Sequence, residues 1–117
     1  MRKLTDKEIE YLLQINETPL FYAPDVSKLI EKHLIQMSSG KVVMSNNLLD
    51  CKYCMITDEG RSVLEQQNPA RIVRICSRIG KYRLVDRFLI KVPKEDLVEF
   101  LVSDDPNIRE LAKERYE

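Results

Sequence analysis

Glycine and histidine are scarce in this chain of 117 residues, and each scarcity excludes a class of protein. Three glycines are too few for an all-β fold that is rich in tight turns. The only histidine, His33, leaves no partner for acid–base or nucleophilic catalysis. Since the sequence also has no clustered ligands and no phosphate-binding loop, we predict a protein without catalytic residues or cofactor, and therefore not an enzyme.

The three cysteines, Cys51, Cys54 and Cys76, are an odd set that we expect to be reduced thiols. The pair Cys51-x-x-Cys54 suggests a metal site, but no second pair of this kind completes four ligands. Residues three apart on a strand also face opposite sides. We therefore predict structural thiols and no metal site.

Long apolar runs are missing as well. No stretch reaches the roughly 18 residues needed to cross a membrane, and the N-terminus shows no signal-peptide pattern. We expect a cytoplasmic protein with no membrane partner. The hydrophobic share of 44% is enough for a core, and the length fits one domain or a small domain with an appendage.

The most informative stretch is Tyr53–Leu64, which predicts the end of a strand, a helix cap and the first turns of a helix. The hydroxyl of Thr57 can accept a hydrogen bond from the first helical turn. Asp58 and Glu59 add negative charge where the helix dipole is positive. Gly60 allows another backbone to approach closely.

The rest of the N-terminal half also divides by local signals. The capping box Thr5-x-x-Glu8 predicts a helix that ends near Asn16. Two prolines make the following stretch a rigid apolar connection. Further elements are predicted as a helix from Pro24 or Asp25 to Leu34, a strand over Lys41–Ser45, a loop over Ser45–Asp50 and a strand over Leu49–Ile56.

Helices dominate the C-terminal half. They are predicted to run from Asn68-Pro69 to Gly80, over Tyr82–Val92, over Lys94–Ser103 and from Pro106 onward. The fold class is therefore mainly α with a small β-hairpin (α+β). We divide the chain into residues 1–67 and a helical extension, 68–117, that packs on them or on a second copy.

Two segments resemble winged-helix DNA-binding domains of the MarR-like type. In that family the second wing strand commonly runs into Leu/Ile-Thr-x-x-Gly-Arg, similar to Ile56–Arg61. Leu29–Ile35 resembles the end of the recognition helix, with His33 in place of the family's glycine, so we expect the helix to stop without its usual left-handed residue. The resemblance covers residues 4–67. The family's preceding helix is either one turn around Leu20–Tyr22 or absent, which would make the fold only a relative.

The last segment, Glu95–Glu117, resembles one unit of a HEAT-type repeat. A single unit cannot bury its own apolar face. The resemblance implies packing on the preceding helices or on another copy, which makes a homodimer a possible state.

Charge is distributed unevenly although the net charge is zero. Residues 71–94 hold eight Lys/Arg and one acid, whereas residues 95–117 hold eight acids and three bases. Such asymmetry is informative about partners. Either the basic helices meet an anionic partner such as nucleic acid, or they pair with the acidic tail within the chain or across a dimer.

The winged-helix resemblance implies a small transcriptional regulator that binds double-stranded DNA. Its expected nucleic-acid contacts are Lys28, Lys32, Arg71, Arg74, Arg78, Arg83 and Arg87. The alternative is a protein-interaction module, an adaptor or inhibitor, with Phe21 and Tyr22 as an exposed partner contact rather than core residues. The predicted wing loop favours the alternative, since it lacks the basic residue usual in minor-groove wings.

Overall fold

A computed structural model describes residues 3–21 and 26–117. In this part of the chain, helices alternate with a small sheet and then follow one another to the C-terminus, which confirms the α+β fold class. The elements are α1 Asp6–Glu17, β1 Leu20–Phe21, α2 Ser27–Glu31, β2 Ile35–Met44, β3 Asn47–Ile56, α3 Asp58–Glu65, α4 Pro69–Ile79, α5 Val85–Leu89, α6 Lys94–Leu101 and α7 Pro106–Tyr116.

The chain divides into two compact units. We call Tyr11–Leu64 the hairpin unit, and Met1–Glu10 together with Glu65–Glu117 the helical unit. The boundaries fall inside α1 and α3. No described helix is long and apolar enough to cross a lipid bilayer.

The sheet of the hairpin unit is antiparallel, in the order β1-β3-β2. Its two long strands have ten residues each and are joined at Ser45 and Asn46, with φ of 50° and 66°. Left-handed conformations at both positions are typical of a tight hairpin turn. The predicted loop to Asp50 was therefore too long, and β2 begins at Ile35 rather than Lys41 because the ladder with β3 also holds the polar residues before Lys41.

The connection after α1 contains a strand that the sequence did not predict. Leu20 pairs with Cys54 and Phe21 with Tyr53, so these two residues form β1 rather than a helical turn. Residues 22–25 lie outside the described residues, including the predicted helix start at Pro24 or Asp25. The described part of α2 is short, Ser27–Glu31, and ends before the predicted Leu34.

The end of α2 differs from expectation in a second way. His33 adopts the left-handed conformation, with φ of 62°, so a histidine takes the place that a glycine usually fills. The amide of His33 donates to the Ile30 carbonyl at 3.0 Å and that of Leu34 to the Leu29 carbonyl at 3.0 Å. Both bonds satisfy carbonyls that the helix end leaves open.

Thr57 joins the end of β3 to the end of α2. Its hydroxyl accepts from the Gly60 amide at 2.9 Å, which confirms the predicted cap of α3. The same hydroxyl donates to the His33 carbonyl at 2.7 Å, and the Thr57 amide donates to the Leu34 carbonyl at 3.1 Å. A Cβ on Gly60 would lie 2.1 Å from the Leu34 oxygen, so only glycine fits here.

In the helical unit the local signals of α4 are confirmed. The Asn68 side chain accepts from the amides of Ala70 and Arg71, and Gly80 ends the helix with φ of 70°. The predicted helix over Tyr82–Val92 is regular only over Val85–Leu89, with three-residue turns on both sides. α5 contacts α4 and α7, and α6 contacts α7. Phe88 is fully buried in this unit.

We predict that Gly60→Ala destabilises the protein. Helix propensity alone would favour alanine in α3 by about 1 kcal/mol. The new methyl group would instead strike a backbone oxygen that is already bonded to Thr57, and moving that backbone costs about 3 kcal/mol. Urea unfolding should show a net loss of about 2 kcal/mol.

Gly80→Ala is the matched control, because its Cβ would meet no atom within 4 Å. This substitution should lower the free energy of unfolding by only about 1 kcal/mol, the cost of placing alanine in the left-handed backbone conformation. A Gly60→Ala chain as stable as the wild type would show that the close approach to Leu34 does not constrain the fold.

Candidate interaction surfaces

Two arginines of α4 bind acidic residues at the start of α1. Arg71 donates to Asp6 at 2.9 and 2.6 Å and to the Leu4 carbonyl at 2.9 Å. Arg78 forms an ion pair with Glu10. Both arginines were predicted to contact phosphate, and in this structure each guanidinium already has a carboxylate partner.

The third arginine of α4, Arg74, binds the acidic C-terminal segment. It forms two parallel hydrogen bonds to Glu99, at 2.7 and 3.0 Å. The bonded carboxylate raises the pKa of Arg74, and the bonded guanidinium lowers the pKa of Glu99. Arg115 forms a similar pair with Asp86, at 2.9 and 2.6 Å. Arg74 thus pairs with the acidic segment, as one of the two interpretations of the charge pattern expected, whereas Arg71 and Arg78 pair with α1.

The remaining two arginines that were predicted to contact nucleic acid, Arg83 and Arg87, follow α4 in the sequence. Arg87 forms an ion pair with Glu65, and the Lys91 ammonium lies 3.8 Å from the same carboxylate. Arg83 is exposed between α4 and α5. Surface ion pairs of this kind contribute little stability, about 0–1 kcal/mol each. Their main effect is to neutralise the positive charge of the paired arginines.

The two predicted lysine contacts belong to the hairpin unit. Lys28 is exposed on α2, and Lys32 is exposed at its C-terminal cap. Residues four apart lie on one side of a helix. α2 itself has only five residues, which leaves a short surface for reading bases.

The β-hairpin carries a surface that the sequence reasoning missed. We call it the hairpin surface and define it by five of the exposed apolar residues of β2 and β3, which lie on both faces of the hairpin. They are Met37, Val43, Met44, Leu48 and Leu49. Val43 is 66% exposed and Leu48 is 68% exposed, and the two face each other across the strands. The adjacent apolar pairs on either side of the turn, Val42-Val43 and Leu48-Leu49, were the available signal, since neighbours on a strand point to opposite faces.

The hairpin also presents open strand edges. β1 pairs with Tyr53 and Cys54 only, so the described strands leave the rest of that β3 edge unpaired. β2 is the last strand of the described sheet, and its outer edge has no described partner strand. Unpaired N–H and C=O groups along such an edge are a template for another strand.

The structure describes only part of the predicted partner contact at Phe21 and Tyr22. Phe21 lies opposite Tyr53 in the sheet register, and only its backbone is described. Tyr22 lies outside the described residues. Exposure of these two side chains therefore remains a prediction.

The cysteines lie on different faces of the hairpin. Cys54 is buried opposite Met37, and Cys51 is half-buried opposite Gly40. Burial raises the pKa of the Cys54 thiol, and a hydrogen bond with Tyr11 offsets part of the rise. Within residues 3–21 and 26–117, no three His, Cys, Asp or Glu side chains are grouped to hold a metal ion.

An open pocket of about 300 Å³ lies in the helical unit. Its lining is mostly apolar and carries two basic side chains; the residues are Leu89, Ile90, Val92, Lys94, Leu97 and Arg115. Arg115 already pairs with Asp86, and the Lys94 ammonium lies 5.5 Å from the ring centre of Tyr116, so both basic side chains of the pocket have other contacts.

Asp105 accepts hydrogen bonds from three different residues of the helical unit. Its Oδ1 accepts from the Asn107 amide at 3.0 Å, which caps α7. Its Oδ2 accepts from Ser77 at 2.8 Å and from Tyr82 at 2.6 Å. Burial tends to raise the pKa of Asp105, but these hydrogen bonds outweigh it, so the pKa is lowered. The carboxylate thus ties the start of α7 to the end of α4.

Comparisons with protein-family models, with curated proteins and with solved structures find no match to this chain. The residues and their geometry are therefore the basis of the functional argument.

We predict that Asp105→Ala destabilises the protein by about 2 kcal/mol at neutral pH, because the cap and two hydroxyl bonds are lost. A lowered folded pKa stabilises the fold above the unfolded pKa of about 4, and this contribution disappears as the pH falls through the folded pKa. The difference from wild type, measured by urea unfolding, should therefore shrink between pH 7 and the acid range.

Asp104→Ala is the control, since Asp104 is the exposed neighbour in sequence. It should change the free energy of unfolding by less than about 0.5 kcal/mol. A difference between wild type and Asp105→Ala that does not depend on pH would exclude the charged form as the stabilising one.

Proposed function

We propose that this chain is a non-catalytic protein-interaction module, of adaptor or inhibitor type, that resembles a winged helix. The observation that carries the proposal is the hairpin surface, with five exposed apolar side chains on the two faces of a hairpin that has an open strand edge. Exposed apolar clusters and unpaired edges are features of sites where another polypeptide adds a strand.

The distribution of charge supports a polypeptide partner over DNA. Ion pairs with carboxylates engage these predicted arginine contacts: Arg71, Arg74, Arg78 and Arg87. Phosphate would have to displace those carboxylates to bind there. The hairpin turn, Ser45-Asn46, also carries no basic residue.

The arrangement around Thr57 supports the winged-helix resemblance. A short helix, a long hairpin and a capped helix follow one another, as in a recognition helix, a wing and the helix after it. Gly60 and Thr57 lie at the junction, in the segment that carries the resemblance. This supports the fold analogy, and fold alone does not determine what the wing binds.

A DNA-binding regulator is the second candidate. Lys28 and Lys32 are exposed, and they precede the hairpin in the sequence. Lys41 and Lys52 lie on one face of the hairpin. Asp50 lies directly opposite Lys41 in the register, which reduces the positive charge of that face. This candidate therefore rests on a small basic surface in the hairpin unit rather than on the arginines of the helical unit.

We predict that the purified chain does not bind a short generic DNA duplex at low salt, measured by fluorescence anisotropy over a salt series. If it does bind, Arg74→Ala with Arg78→Ala should leave the affinity unchanged, because those guanidiniums already face Glu99 and Glu10. Lys28→Ala with Lys32→Ala should then lower the salt dependence by about two phosphate contacts.

Steep, salt-dependent binding that requires the two lysines would overturn the interaction module in favour of the regulator. The positive test is capture from an extract of the source cells. A protein that stays with the wild type and with Val102→Lys, but not with Val43→Glu, would identify the hairpin surface as the docking site. Val102 is the matched control because it is an exposed valine, 76% accessible, at the end of α6.

A further inference from the structure

We propose that the strand which pairs with β2 belongs to a second copy of this chain. Two hairpins would then form one continuous antiparallel sheet, with β2 beside the partner's β2 and a two-fold axis at Gly40. This inference rests on the proposed function, since it names the partner of the same hairpin surface.

The edge of β2 has few of the features that protect natural edge strands. It has ten residues, whereas strands average about five to six. Lys41 is its only charged residue, and it contains no proline. A long edge with a single charged residue and no proline remains open to pairing with another strand.

The sequence of β2 complements itself about Gly40. In this register Met37 lies opposite the partner's Val43, and Ser39 lies opposite the partner's Lys41. Met37 and Val43 are 46% and 66% exposed in the single chain. Because the symmetry repeats each pair, the dimer covers both residues on both chains, and each becomes part of an apolar row that already contains Leu48 and Cys54.

Charge selects this register over its neighbours. Asp50 lies opposite Lys41 within the hairpin, so the row across the sheet reads Asp50, Lys41, the partner's Ser39 and the partner's Lys52. No two like charges are adjacent in that row. A register centred on Lys41 would instead place two lysines directly opposite each other, and one centred on Ser39 would place Met37 opposite the partner's Lys41.

Gly40 is a suitable centre for the axis. The ring of Tyr53 already covers it on one face, with Cε1 2.8 Å from the position of a Cβ. Without a side chain at Gly40, the two strands can approach each other closely.

Pairing along one edge makes a small interface. It buries less than the roughly 1,600 Å² of a standard protein–protein interface. We therefore expect a concentration-dependent dimer with a dissociation constant in the micromolar range.

Sedimentation velocity of the purified chain over a range of concentrations tests the proposal. The wild type should shift from monomer to dimer. Met37→Lys and Val43→Glu should each weaken self-association about tenfold, because each homodimer then contains two mismatched pairs. An equimolar mixture of the two variants should recover association, since the mixed dimer has one native pair and one Lys–Glu pair.

Both substitutions are at exposed positions, and circular dichroism checks that each variant is folded. Val102→Lys is the control and should associate like the wild type. A monomeric wild type, hairpin variants that associate normally, or a mixture that fails to recover would each overturn the Gly40-centred dimer. A monomeric wild type that still captures another protein through Val43 would overturn the dimer alone, and the interaction module would stand.

Discussion

The hairpin depends on the contact between Thr57 and the chain that leaves α2. The amide and the hydroxyl of Thr57 donate to the carbonyls of Leu34 and His33, and the same hydroxyl accepts the first bond of α3. The methylene of Gly60 lies against the Leu34 carbonyl, where a side chain would not fit. One threonine and one glycine thus hold together the end of α2, the base of both long strands and the start of α3.

This contact also explains the left-handed histidine. The chain has to turn sharply after α2 so that β2 can begin at Ile35, directly opposite Ile56. A left-handed residue makes that turn and closes the helix end. Histidine in this conformation has a cost that the three hydrogen bonds at Leu34 and Thr57 offset. The tertiary contact therefore decides a backbone conformation that the local sequence did not indicate.

The sequence predicted the elements whose signals are local. The capping box at Thr5, the Asn68-Pro69 start and the Gly80 stop each involve residues within four positions of one another. It failed where the partner is distant in sequence: β1 is two residues long and exists only because Leu20 and Phe21 pair with β3. Arg78 and Glu10 are likewise 68 positions apart. The order of the charges along the sequence revealed their asymmetry, but not which charges are paired in space.

Pairing of the charges limits which side chains of this protein can contribute to an interface. Each ion pair is weak, so the arginines add little stability. Together, however, the carboxylates neutralise much of the positive charge of Arg71, Arg74 and Arg78. The exposed apolar side chains of the hairpin are then a more favourable contact for a partner than the paired charges, because water solvates apolar surface poorly. Its tight turn at Ser45 and Asn46 fixes the register of β2 against β3. Every copy of the chain therefore presents the same edge with the same residues, which is the condition for a symmetric contact between two copies.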